Sequence, residues 1–100
     1  MTDQLTASAV VKTPTPQRYA KQLASHLGRR SEVVEEASGT RLKLAGGECL
    51  LRPQGETLEL LASAPTAEEL DRVMTVVGSH LERFGQRNEL LVEWQRPEAA

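Results

Sequence analysis

Two histidines, one cysteine and a stretch of basic side chains are the residues of this 100-residue chain best suited to chemistry. His26 lies seven residues after Tyr19 and so on nearly the same helical face. His80 lies three after Val77 and four before Phe84, beside an apolar stripe. Brought together by two related halves of a fold, the imidazoles, with or without Cys49, would make an acid–base pair or a metal site. Taken singly, each is a boundary histidine with one apolar edge and one hydrogen-bonded nitrogen. No H-x-x-x-H, C-x-x-C or acidic metal-loop spacing supports a metal, so no metal or other cofactor is expected. Cys49 falls within a predicted strand, where a free cysteine behaves as a small hydrophobe. Gly46-Gly47 lacks the flanks of a phosphate loop, and there is no G-x-S-x-G or dinucleotide fingerprint. The catalytic inventory is thin. The chain reads as a binding module before it reads as an enzyme.

Charge distribution says more than net charge. The sum is −2, which argues against a dedicated nucleic-acid binder, since phosphate neutralisation supplies most of that affinity. Between Gln4 and Ser31, however, there is no acid, while Lys12, Arg18, Lys21, Arg29 and Arg30 are all basic. They read either as solvated surface charge or as a positive face for an anionic small molecule or an acidic protein patch. The candidate ligand contacts are Arg18, Tyr19, Lys21, Gln22, His26, Arg29, His80, Arg83 and Arg87. Arg29, Arg30, Arg83 and Arg87 also fall where cations complement a helix dipole.

The elements that must position these groups are legible in the spacing. Thr66 to Gly85 opens with a capping box, Thr66 on the Glu69 amide and Glu69 back to the Thr66 amide. Leu70, Val73, Met74, Val77, Leu81 and Phe84 then make one apolar stripe, and Gly85 offers a left-handed stop. Pro16 to Leu27 predicts a shorter helix, capped by Thr15, with Pro16 in its first turn, Tyr19, Ala20, Leu23 and Leu27 inward, and Gly28 as its end. Strands are expected at Thr6–Thr13, Glu32–Ala37, Thr40–Ala45, Glu48–Arg52, Thr57–Ser63 and Glu89–Gln95. Ser38-Gly39, Gly46-Gly47 and Gln54-Gly55 separate the middle ones as hairpin turns. Pro53 suits the end of a strand better than a central ladder.

The order β-α-β-β-β-β-α-β implies an α+β two-layer sandwich. Its mostly antiparallel sheet has about six strands, and both helices lie on one face. A pseudo-twofold relation between the two ends is suggested by Ser25-His26-Leu27 and Ser79-His80-Leu81. One domain over residues 1–100 is expected, with about 1–5 and 97–100 loose. Only Tyr19, Phe84 and Trp94 are aromatic, so the core must be Leu, Val and Ala; Trp94 suits the core or a pocket edge. No run of about 18 apolar residues spans a membrane, and no secretory signal is visible. A single cysteine excludes an internal disulfide and fits a reducing compartment, so the expected location is cytoplasmic.

Two motifs carry a family resemblance. Arg18-Tyr19-Ala20-Lys21-Gln22-Leu23 with His26 and Gly28 is one. His80-Leu81-Glu82-Arg83-Phe84 with Arg87, Glu89-Leu90, Val92 and Trp94 is the other. Together, at this separation, they resemble the bacterial "domain of unknown function 2218" family over nearly the whole chain. The resemblance implies an association with siderophore-interacting, flavin-dependent ferric reductases, and hence with iron acquisition. Many members carry a further histidine where this chain has Arg29, a departure that weakens a multi-histidine metal site. Three functions follow as expectations: an anion-binding accessory module, an enzyme or metal protein using His26 and His80, and a self-association module.

Overall fold

The computed structural model describes residues 4–29, 31–86 and 90–96. Its elements are β1 (Leu5–Lys12), α1 (Pro16–Leu27), β2 (Glu32–Glu36), β3 (Gly39–Leu44), β4 (Gly47–Gln54), β5 (Thr57–Ala64) and α2 (Ala67–Phe84). The strands form one antiparallel sheet in the order β1-β5-β4-β3-β2. The fold is thus α+β, with five strands among the described residues where the sequence suggests six.

Alternation along the strands builds the core. Ala7, Ala9 and Val11 of β1, Leu58, Leu60, Ala62 and Ala64 of β5, and Cys49, Leu51 and Leu42 are all buried. They join Tyr19, Ala20, Leu23 and Leu27 of α1 and Leu70, Val73, Val77 and Leu81 of α2 in one apolar cluster. The intervening side chains point away from it. Among them Arg41 bonds Glu36 and Glu48 at 2.7 and 2.8 Å, and Arg52 meets Glu59 at 3.2 Å. The Arg41 hydrogen bond holds the Glu36 carboxyl below its ordinary range.

The missing strand has a physical cause. Of residues 90–96, only Gln95 pairs with the sheet, exchanging hydrogen bonds of 2.8 and 2.7 Å with Ser8 of β1. The backbone donors before it are used elsewhere: Leu90 N–H donates to the Gly85 carbonyl at 3.2 Å, and Val92 N–H to the Glu82 carboxylate at 2.9 Å. The segment is tied to the end of α2, and the ladder does not form. Glu89 lies outside the described residues.

Other differences are local. The β3–β4 turn is at Ala45-Gly46, one residue earlier than Gly46-Gly47, and both residues have positive φ, 54° and 85°. That combination is what a two-residue hairpin of right-handed twist requires. The turn before β3 likewise falls one residue early, at Ala37-Ser38, and the turn after β4 one residue late, at Gly55-Glu56. Pro53 does sit inside β4, opposite Leu58, but beyond the last β3 pair at Leu51, so its missing donor breaks no ladder bond on that side. Gly85 has φ −98° and is not left-handed; the space its absent Cβ would take is filled by Leu90. Thr15 makes no side-chain cap on α1; its own N–H donates to Thr13 Oγ1 at 3.1 Å.

No twofold relates the two ends. β1 and β2 lie at opposite edges with three strands between them, so their connection through α1 crosses the whole sheet. The connection from β5 through α2 to Gln95 crosses β1 alone. Among the described residues no helix is long and apolar enough to cross a membrane.

The cap on α2 gives a direct stability test. Thr66 Oγ1 accepts the Glu69 N–H at 3.1 Å, and its hydroxyl donates to the Glu69 carboxylate at 2.9 Å, a return contact made to the hydroxyl where the sequence suggests the amide. Replacing Thr66 with Ala should cost about 1 kcal/mol. A urea midpoint that does not move would show that the cap adds nothing.

Candidate functional site

The site is built on the outward side of α1. Pro16, Tyr19, Ala20, Leu23 and Leu27 are buried, so the helical period sends Arg18, Lys21, Gln22, Ser25 and His26 to solvent in successive turns. With Arg29 just past the helix and Phe84 from α2, they line a shallow groove of about 490 Å³. Five of the nine candidate contacts are therefore gathered in one place. His80 and Arg83 line a second groove of about 940 Å³ with Ser79, Glu82, Gln86, Leu90 and Leu91. Tyr19 is a core residue, 6 % exposed, and does not line the α1 groove. Arg87 and Arg30 lie outside the described residues.

A cluster of rings separates the two grooves. The His26 and His80 centroids are 5.0 Å apart, His26 meets Phe84 at 5.4 Å nearly edge-on, and His80 meets Phe84 at 6.3 Å. The histidines thus meet without any symmetry between the halves, where the C-terminal ends of the helices converge. His80 Nδ1–H donates to the Val76 carbonyl at 2.6 Å. That bond fixes the ring and leaves Nε2 as the lone-pair nitrogen of the neutral form. Phe84 is the member absent from the candidate contacts, although the spacing puts it in the apolar stripe and in the second family motif. Its signal was its position one turn after His80.

The electrostatics single out the α1 groove. Arg41, Arg52, Arg72 and Arg96 each pair with a carboxylate. Among the described residues, Arg18, Lys21, Arg29 and Arg83 form no ion pair, and no carboxylate lines the α1 groove. The helix dipole accounts for Arg29 and Arg83 but not for Arg18, which lies in the first turn of α1, where a cation is disfavoured, nor for Lys21 in mid-helix, where the dipole has little effect.

Cys49 takes no part. It has no exposed surface, and burial pushes its thiol up to about 12, against smaller lowering effects from a Leu61 backbone hydrogen bond and the Arg41 charge. Among the described residues no three of His, Cys, Asp and Glu are grouped to hold a metal ion. Iodoacetamide at about pH 8 should therefore label the native thiol on the order of a hundredfold more slowly than the urea-unfolded one. Equal rates would place Cys49 at the surface.

Comparison with known proteins agrees with this architecture. Residues 8–95 match the family described as "Uncharacterized protein conserved in bacteria (DUF2218)". No curated protein matches the chain. Among solved structures it is similar to the NMR structure of PA4090 from Pseudomonas aeruginosa, with a TM-score of 0.75 and 23% identity over 91% of this chain and 95% of that one. At that identity the likeness shows the fold.

Proposed function

The chain belongs to the DUF2218 family of uncharacterized proteins conserved in bacteria, and we propose that its α1 groove is a non-catalytic binding site for an anionic small molecule. The observation that carries this reading is the line of unpaired cations. Among the described residues, Arg18, Lys21 and Arg29 face one groove with no carboxylate in its lining, although Arg18 and Lys21 also line the neighbouring groove that Glu35 borders; the other described arginines, apart from Arg83, are paired. Like charges one helical turn apart, as Arg18 and Lys21 are, repel one another when nothing sits between them. An anion relieves that repulsion and accepts charge-assisted hydrogen bonds from the same groups. Gln22, Ser25 and His26 supply further polar contacts. His80 and Arg83 border the site on its far side.

The family resemblance supplies a candidate class, ferric siderophores, with a flavin-dependent ferric-siderophore reductase as partner protein. A cytoplasmic setting fits that role. The test of the general reading is calorimetric titration with citrate and inorganic phosphate at two salt concentrations. Binding that weakens severalfold between roughly 50 and 200 mM salt supports it, because such contacts are screened over about 10 Å. Absent or salt-independent binding would sink it.

One observation favours a second reading, an acid–base or metal pair made of the two histidines: their rings are in contact at 5.0 Å. That reading requires zinc or copper to be retained through purification, or a hydrolytic activity lost in both His26→Gln and His80→Gln. A metal-free protein with no such activity would eliminate it.

A further inference from the structure

We infer that the ligand of the α1 groove is a planar aromatic anion, an aryl phosphate or aryl carboxylate in chemical class; this rests on the anion-binding reading above. The groove's apolar surface is the starting point. Its lining among the described residues is Arg18, Lys21, Gln22, Ser25, His26, Arg29 and Phe84, with no aliphatic side chain. The apolar surface open to the non-ionic part of a ligand is therefore the Phe84 and His26 rings and the stems and planes of the basic residues, beside the polar Gln22 and Ser25. An acyl chain finds only the methylene stems of the basic residues and the Phe84 ring there. A flat ring finds several partners, since aromatic rings pack edge-to-face or offset, and guanidinium planes stack on aromatic faces.

The distribution of rings over the chain points the same way. There is one Phe, one Tyr, one Trp and two His. Tyr19 is buried in the core, and Trp94 packs against it. The remaining three, His26, His80 and Phe84, form one cluster with centroids 5.0 to 6.3 Å apart; His26 and Phe84 line the α1 groove, and His80 lies behind them in the lining of the other groove. His26 is exposed and Phe84 half-buried, so ring surface is presented to solvent. The hydrogen bond from His80 Nδ1 to the Val76 carbonyl holds the ring behind them in place.

The test compares two probes that share an anion and differ in the ring: phenyl phosphate and methyl phosphate, titrated into the full chain. Phenyl phosphate should bind roughly three- to tenfold more tightly. Phe84→Leu, which keeps apolar bulk and removes the ring, should bring the ratio of the two affinities toward one. An independent readout needs no variant: intermolecular NOEs from the phenyl protons should fall on the Phe84 and His26 ring protons. Equal affinity of the two probes for the parent chain, or NOEs to other residues, overturns the aromatic specificity while leaving the anion site standing. Binding of neither probe overturns both.

Discussion

Replacing Arg18, Lys21 and Arg29 together with Gln should abolish measurable binding of small anions while leaving the fold intact. Each group offers a charge-assisted hydrogen bond worth about 1.5–3 kcal/mol. Such contributions are not additive, so the expectation is a loss of at least about a hundredfold in affinity. Stability should barely change, because the three side chains are exposed and unpaired among the described residues. A shift within about 0.5 kcal/mol is expected for surface changes of this kind. Relief of their mutual repulsion makes a small gain the expected sign. Calorimetric titration beside a urea melt separates the two effects. Retained affinity would show that these cations are ordinary surface.

Leu23→Ala should do the opposite, attacking the scaffold and reaching the site only through it. Leu23 has no exposed surface and is the α1 residue most deeply set in the core. Truncating a buried leucine costs about 2–5 kcal/mol, from lost transfer energy and the cavity left behind. A domain of this size has only about 5–15 kcal/mol in total. The urea midpoint should fall steeply with little change in slope, and α1 amides should exchange faster than those of β4 and β5. A midpoint within experimental error of the parent would mean that α1 is not held to the sheet by this residue. The site would then lack its support.

Much of this architecture is legible in the sequence because its signals are local. Pro16 and the period of Tyr19, Leu23 and Leu27 bound α1 at the residues observed, and the alternation from Glu32 to Ser63 finds four strands within one or two residues. What stays hidden depends on partners distant in sequence. Leu90, Val92 and Trp94 alternate as a strand does, yet Glu82 and Gly85 take the backbone donors of Leu90 and Val92. Gly85 has the composition of a left-handed stop, but it is needed for Leu90 to approach.

The candidate site divides in the same way. Arg18, Lys21, Gln22, His26 and Arg29 share a helical face, so their grouping follows from spacing alone. Tyr19, inside the same motif, turns inward for the same reason. The meeting of His26 with His80 and Phe84 is a tertiary event. No pattern in either helix specifies it, and the symmetry that suggested it is absent.

The most direct measurement is an amide-shift NMR titration of the isotope-labelled chain with inorganic phosphate and phenyl phosphate. Anion binding on α1 predicts saturable shifts confined to Arg18–Arg29 and His80–Phe84, weakening as salt is raised. Shifts centred instead on the separate groove lined by Arg41, Leu61 and Arg96, or no saturable shift anywhere, would contradict it.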